Sequence, residues 1–350
     1  MRFPMKSLIL SNVPWGYGTP QVKFLKNSIE GVLQSVCISI CPTYDSRPIL
    51  EEPNVESIIT KEPSFGLFGL SEYLRISAKR INQIKPENLI LVNPDMLFVL
   101  PLLKYKPRVI TYYGLEPFDQ ARFSLAMLRK DLKKVDVTLF PESNRLKRDA
   151  VEFTNLVAIF EILNTQSEQS PPLICKENDL IYAGTLDPGW IEFGYLEQID
   201  KHYDLKVFGD ATEVPKHMSS ILKNFYGLSS ENDLRAEIAK SKFSIVCWKP
   251  NSFSLLNAAP NKLFQSLSCG TPVITYPYPQ AIKLGESFSG IFIAEDFSIE
   301  SLIKVTKSAL DIDDESYKKL IERIEVEFNE SMIWGKQVEP YLKCLIGLIQ

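Results

Sequence analysis

Short runs of β-branched and aromatic residues alternate with longer amphipathic stretches along the whole chain, and this alternation constrains the fold more than any other feature. SLILSNV, SVCISIC, NLILVN, RVITYYG, VDVTLFP and NLVAIFEIL read as strands in the first half; DLIYAG, DLKVFGD, KFSIVCW, TPVITYP and GIFIAED do so in the second. Helical patterns such as SEYLRISAKRINQI and DESYKKLIERIEVEF lie between them. Strands spaced in this way pair in parallel through βαβ crossovers. Two such series within 350 residues predict an α/β chain with two Rossmann-like domains. The segment NTQSEQSPPLICKEND is polar, holds paired prolines and lacks an apolar period, so it is the expected linker. It divides the chain into domains at 1–168 and 169–335, with an amphipathic terminal helix at 336–350.

The formal net charge is −4, too near balance to argue for a nucleic-acid partner. The halves differ: residues 1–168 carry a net +3 and residues 169–350 a net −7. Much of the basic excess lies in KYKPR, RKDLKK and RLKR. A solvated surface accounts for these clusters; the alternative is a patch facing an anionic lipid or a phosphorylated acceptor. In that alternative the basic first domain makes peripheral contact with the inner face of a membrane. FSLAMLRKDLKK carries the same two readings, ordinary helix packing or membrane contact. The six cysteines include no C-x-x-C pair and the chain has only two histidines, His202 and His217. Buried thiols are therefore expected, rather than a zinc site or disulfides. No signal peptide is expected, because Met1–Ser7 leads directly into a short strand-like run. The most apolar segment, NLILVNPDMLFVLPLL, is broken by Asn93, Pro94, Asp95 and Pro101 and is not expected to span a bilayer. A cytoplasmic protein is expected.

The stretch NAAPNKLFQSLSCGTPVIT, from Asn257 to Thr275, is the most informative. Pro260 is placed as the first helical residue, where its missing N–H costs nothing. Leu263, Phe264 and Leu267 then share the face that packs on a sheet, and Gly270 falls where a left-handed C-terminal cap is wanted. Ala258 and Ala259 are small enough for a ligand to approach the first N–H groups, and such a helix start attracts phosphate. Lys262 puts a cation in the first turn, where a helix favours an acid, unless an anion meets it. A diphosphate seat explains this arrangement best.

APNKLFQSLSCGTPVI resembles the donor-site motif of GT-B-fold glycosyltransferases, above all glycosyltransferase family 4 and related bacterial cell-surface polysaccharide glycosyltransferases. The usual form is P-x-K-x-x-E, a small-residue stretch, then G-x-P-V-I. DLIYAGTL is similar to the strand and glycine turn that open the nucleotide-sugar domain, and DLKVFGDA to its second strand. NFYGLSSENDLRAEIAKSKFSIVCW is similar to the segment lining the base pocket, and NVPWGYGTPQ to the glycine-bearing loop facing the donor. The match runs over about 178–300; the first half matches in layout alone.

The resemblance implies a GT-B fold, with two Rossmann-like domains whose parallel sheets face a cleft. The first domain would be the acceptor side, with the terminal helix packing back on it, and the second would bind the nucleotide sugar. Donor contacts are then expected from Gly16, Tyr17, Gly18, Gly184, Thr185, Tyr226, Leu228, Asn257, Ala259, Pro260, Asn261 and Gln265, with Tyr226 and Leu228 flanking the base. Asn257 and Gln265 stand where many members carry two glutamates. An amide at Gln265 still suits a ribose hydroxyl, whereas Asn257 supplies no negative charge. Thr185, Asp187 and Trp190 occupy the turn where a basic residue is usual, which leaves Lys262 as the expected positive side chain at the diphosphate.

Glycosyl transfer needs a stabilised leaving diphosphate, a positioned anomeric carbon and a deprotonated acceptor hydroxyl. Lys262 and the N–H groups of Ala259 to Asn261 would meet the first need with no metal and no cofactor. DID at Asp311–Asp313 lies between two helices and reads as capping. A base is expected from the loops after the first-domain strands: Asp95, Glu116, Asp119 or Glu142, of which Glu116 leads. The expected function is transfer from a nucleotide sugar to a glycan or lipid-linked acceptor in surface polysaccharide biosynthesis. A nucleotide-sugar epimerase or phosphorylase on the same fold and a non-catalytic nucleotide-sugar-binding subunit are the alternatives.

Overall fold

The computed structural model describes residues 6–16, 20–44, 51–60, 66–121, 124–128, 130–170, 173, 176–209 and 223–349. The chain forms two compact units, Met1–Leu163 with Gly335–Gln350, and Asn164–Trp334.

The first unit holds β1 (Ser7–Ser11), β2 (Cys37–Tyr44), β3 (Val55–Thr60), β4 (Asn88–Val92), β5 (Val109–Tyr113), β6 (Val137–Phe140) and β7 (Ala158–Glu161). They form one parallel sheet in the order β3-β2-β1-β4-β5-β6-β7. Every residue of β1, β4 and β5 is buried, as expected of central parallel strands covered on both faces. The helices are α1 (Pro20–Leu33), α2 (Leu67–Ile84) and α3 (Ser143–Asp149). α2 buries Leu70, Tyr73, Leu74, Ser77, Ala78 and Ile81 along one stripe, against a core that includes Leu8, Leu10, Leu89 and Leu91. Pro94 and Pro101 give the apolar stretch after β4 the form of a 3₁₀ helix, Pro94–Leu102. The C-terminal helix (Trp334–Ile349) carries Tyr341, whose hydroxyl lies 3.2 Å from Thr111 Oγ1.

The second unit holds β8 (Asn178–Ala183), β9 (Leu205–Phe208), β10 (Asn224–Gly227), β11 (Ser241–Val246), β12 (Val273–Thr275) and β13 (Ile291–Ile293). This sheet is also parallel, in the order β10-β9-β8-β11-β12-β13. Its helices are α4 (Phe193–Asp200), α5 (Glu231–Lys240), α6 (Phe253–Leu256), α7 (Asn261–Ser268), α8 (Pro279–Gly285), α9 (Ile299–Leu310) and α10 (Asp314–Glu327). Ser230, Ser252, Ser298 and Asp313 cap α5, α6, α9 and α10. The capping role expected of Asp313 is thus its observed one.

Two strands, β3 and β10, escaped the sequence pattern. Both are edges, each paired on one side only, and both keep mostly half-exposed side chains. Their runs, VESIIT and NFYG, are interrupted by polar residues and glycine and leave no continuous apolar stretch to detect, unlike the edge strands β7 and β13. The expected linker is not a free tether. Asn164, Thr165 and Gln166 are buried, and Arg235 bonds Gln166 Oε1 at 3.4 Å, the Glu168 carbonyl at 3.3 Å and Ser170 Oγ at 2.7 Å. The five described cysteines are free thiols; Cys175 lies outside the described residues. Among the described residues no helix is long and apolar enough to cross a membrane.

Candidate functional site

In sheets of this winding the strand order reverses beside the first strand, and ligands bind beyond the carboxyl ends of the strands at that point. In the first unit a single side chain joins three strand ends there. Asn93, after β4, donates through Nδ2 to Asn12 Oδ1, after β1, at 2.9 Å. Its Oδ1 accepts the backbone N–H of Glu116, after β5, at 2.8 Å. Asn93 is buried and held at φ 72°, ψ 158°, a region used almost only by glycine that costs of order 1–3 kcal/mol.

Glu116 is therefore positioned through its backbone. Its carboxyl makes no hydrogen bond or ion pair among the described residues and keeps solvent-exposed surface. Desolvation by the surrounding protein raises its pKa, the Arg145 guanidinium opposes that rise and Asp119 adds to it. A raised, accessible, unpaired carboxylate has the properties of a general base. The other carboxylates weighed for that role are committed elsewhere. Glu142 is buried and caps α3, accepting the N–H groups of Asn144 and Arg145 at 2.8 Å each. Asp119 pairs with Arg148 at 3.3 Å, and Asp95 is buried in the first turn of the 3₁₀ helix.

Arg145 corrects the reading of RLKR as surface charge. It is buried and donates through Nη1 to the Leu115 carbonyl at 2.6 Å. Burial lowers its pKa, while Glu116, Glu142 and Asp149 favour its charged form. Gly16 takes φ 78° on an exposed turn after β1; Tyr17 and Gly18 lie outside the described residues.

In the second unit α7 starts at Asn261, with Pro260 in the cap position at φ −70°, ψ 114°. The helix thus begins one residue later than expected, and no side chain caps it. At its other end Gly270 sits at φ 65°. Gly270 N–H donates to the Leu267 carbonyl and Thr271 N–H to the Ser266 carbonyl, both at 3.0 Å. This is the Schellman pattern that needs glycine. Leu263, Phe264 and Leu267 are buried on the inner face.

The residues in front of α7 are packed. Asn257, Ala258 and Ala259 are buried, Asn257 Nδ2 donates to the Phe253 carbonyl at 3.0 Å, and the Ala259 carbonyl accepts Asn164 Nδ2 at 3.0 Å. Lys262 is half-buried, and its ammonium donates to Gln265 Oε1 at 3.1 Å. It forms no ion pair among the described residues. Desolvation lowers its pKa, with Glu231 opposing. A cation thus stands half-desolvated in the first turn of a helix, compensated mainly by a neutral amide, which is costly on two counts.

In the same unit the ends of β8, β9 and β10 come close backbone to backbone. Gly184, after β8, donates its N–H to the Phe208 carbonyl at 2.9 Å, and Gly209, after β9, donates to the Gly227 carbonyl at 2.8 Å. A Cβ on Gly209 would lie 1.6 Å from the Gly184 carbonyl oxygen, so Gly209 is obligatory. Its steric role gives no signal in an isolated FGD. Thr185 is exposed and its carbonyl accepts the Tyr182 hydroxyl at 2.8 Å. Tyr226 is 55% exposed and stacks one face on Phe208 with centroids 4.9 Å apart, leaving the other face open; Leu228 is 78% exposed. The loop after β8 also has a cation that sequence reasoning missed: Lys249, after β11, donates to the Pro188 carbonyl at 2.9 Å. His202 is exposed in the turn after α4, and His217 lies outside the described residues.

No protein-family model and no curated protein matches the chain. Solved structures match along nearly its whole length. Anabaena Alr3699/HepE in complex with UDP and glucose aligns with a TM-score of 0.68 at 13% identity, over 97% of this chain and 99% of that one. A glycosyltransferase from Rickettsia africae aligns at 0.65 and 13% identity, over 99% of both chains. The apo lipopolysaccharide outer core galactosyltransferase WaaB aligns at 0.62 and 11% identity, over 96% and 98%. Two parallel sheets of Rossmann winding, each with its own helices, together with these alignments give this chain the GT-B glycosyltransferase fold.

Proposed function

We propose that this chain is a glycosyltransferase that moves a sugar from a nucleoside diphosphate sugar to a hydroxyl of a glycan or lipid-linked acceptor in surface polysaccharide assembly. The second unit would bind the donor and the first the acceptor. One observation carries the reading: the Lys262 ammonium, half-buried at an uncapped helix start and without an ion pair among the described residues. A diphosphate placed there removes both costs at once, because it neutralises the cation and accepts from the first helical N–H groups. The same contacts strengthen as the glycosidic bond breaks and charge collects on the leaving group, so they lower the barrier. Gly184 and Thr185 would lie along the phosphates, and the open face of Tyr226 would stack the base. Glu116 would draw the proton from the acceptor hydroxyl.

A panel of nucleotide sugars, each with and without acceptor, tests the reading. Acceptor-dependent release of nucleoside diphosphate is expected. Acceptor-free conversion of the sugar would instead indicate an epimerase, and saturable binding without turnover a binding subunit. Lys262→Ala is expected to weaken nucleoside diphosphate binding by about 1.5–3 kcal/mol, the range for charge-assisted hydrogen bonds. Unchanged affinity in that variant would remove the donor site from α7.

A further inference from the structure

The short helix α3 holds the loop after β5 at several points. Arg145 donates through Nη1 to the Leu115 carbonyl at 2.6 Å. Asp149 accepts the Phe118 N–H at 3.1 Å and Arg148 Nε at 2.6 Å, and Arg148 Nη2 reaches Asp119 at 3.3 Å. Arg148 and Asp149 follow Arg145 by three and four residues, so all three share one face of α3. These anchors fall on either side of Glu116. Its N–H is fixed by Asn93 at 2.8 Å, and its carboxyl bonds nothing among the described residues.

Arg145 is the unusual member of this group. It is 5% exposed, and a buried guanidinium is stable only when opposite charges and hydrogen bonds surround it. Burial disfavours its charged form; Glu116, Glu142 and Asp149 favour it, and Arg148 opposes them. Glu142 is committed to capping α3, and Asp149 to Phe118 and Arg148. That leaves Glu116 as the carboxylate of the three without a bond among the described residues. Desolvation raises the Glu116 pKa, Arg145 opposes the rise and Asp119, on the same loop, adds to it. Buried Tyr112 on β5 feels Asp149, Glu116, Arg145 and Asp95 besides its own desolvation, so these groups form one cluster. A direct ion pair would occupy the Glu116 oxygens and depress their proton affinity. A guanidinium fastened to the neighbouring carbonyl lends its charge and leaves those oxygens free to take a proton.

We propose that Arg145 is the positioning residue of Glu116, fixing the loop that carries the carboxylate and standing as its countercharge without forming an ion pair with it. This deepens the proposed function and rests on it for the role of Glu116 as base. It is independent of the donor site at α7.

Two substitutions in the full chain test it. Arg145→Gln removes the charge and keeps an N–H donor for the Leu115 carbonyl, whereas Arg145→Lys keeps the charge. Neutralising a buried cation strands its carboxylates and can unfold a protein. Arg145→Gln is therefore combined with Glu142→Gln, in which an amide oxygen still caps α3, and is compared with Glu142→Gln alone. Arg145→Lys, with its charge intact, gives a second reading that does not depend on the double variant folding. The Glu116 titration is read directly, from the side-chain carboxyl NMR shift of glutamate-labelled protein, assigned by its loss in Glu116→Gln; no substrate is needed. In the double variant the midpoint is expected to move to higher pH by about one unit, the lower end for a lost opposite charge. In Arg145→Lys it should stay with the parent. The acid limb of acceptor-dependent nucleoside diphosphate release should move with the midpoint. The double variant should also lose about 10–100-fold in kcat, as misplaced catalytic groups do, at unchanged nucleoside diphosphate affinity. A midpoint unmoved in the double variant, or moved as far in Arg145→Lys, would overturn the role of Arg145 and leave Glu116 standing as base. Full kcat in Glu116→Gln would instead remove the base, and the role of Arg145 with it.

Discussion

The two sheets share one winding and use their strand ends in opposite ways. In the first unit the ends of β1, β4 and β5 are tied by side chains, through Asn12, Asn93 and the backbone of Glu116. A carboxylate stands there with a raised pKa. In the second unit the ends of β8, β9 and β10 are tied by bare backbone at Gly184, Gly209 and Gly227, and the charged group is an ammonium with a lowered pKa. Side-chain ties permit fine placement of one acid–base group. Glycine ties carry no side chain at the strand ends and so leave room for a ligand to approach the backbone closely. On the proposed function one frame would serve two chemistries, and mutation can test that division.

The largest effect is expected at Glu116. As a general base, its replacement in Glu116→Gln should lower kcat by about 10²–10⁴-fold and leave nucleoside diphosphate affinity unchanged. The pH profile supplies the sharper test. Desolvation raises the Glu116 pKa, so activity should climb with pH through a limb lying above the usual carboxylate range, and that limb should vanish in the variant. A variant that loses donor affinity along with turnover would erase the distinction between the units.

Gly209→Ala comes next. The added methyl meets the Gly184 carbonyl oxygen at 1.6 Å, and Gly184 cannot yield without losing its bond to Phe208. A loss of about 3 kcal/mol in urea unfolding is expected, at the upper end for overpacking. Asn93 is the matching test in the first unit. Asn93→Ala removes both amide bonds but keeps the strained φ, so about 1–3 kcal/mol should be lost. Asn93→Gly removes the same bonds and relieves the strain, and should be the milder of the two. Equal losses would mean that the backbone at 93 stores little.

What the sequence revealed, and what it hid, follows the same division. Central strands were legible because burial on both faces writes a continuous apolar run, as in NLILV and VITYY. The helix at 261–268 was legible because proline, an apolar stripe and glycine each act locally. β3 and β10 were hidden because polar residues and glycine break their short runs, VESIIT and NFYG, whereas the other edge strands, β7 and β13, keep apolar runs in NLVAIFEIL and GIFIAED. Among the site residues, Lys262 announced itself by sitting where a helix resists a cation. Asn93 was overlooked in VNPD in favour of Asp95, because its bonds to Asn12 and to the backbone of Glu116 form only when three strand ends meet. Arg145 and Gly209 could not have been found, since the burial of one and the crowding at the other arise only when distant strands meet.

The smallest expected effect separates stability from function at α7. Burial lowers the Lys262 pKa, so the folded state holds this proton less tightly than the unfolded chain does. With such a group stability rises as pH rises through the folded pKa, and at neutral pH, where the ammonium is charged, the residue is a net cost. Lys262→Met keeps the aliphatic stem and removes the charge from the helix start. The ligand-free variant should therefore be more stable than the parent by about 0.5 kcal/mol at pH 7. That advantage should shrink as alkaline pH strips the proton from the parent. Saturating nucleoside diphosphate should reverse the ranking, because ligand binding stabilises the parent more than the weaker-binding variant. Thermal melts with and without UDP at two pH values read all three outcomes. A variant that melts below the parent without ligand would show that the ammonium already has its partner within the protein, and the case for an anion at α7 would lose its physical basis.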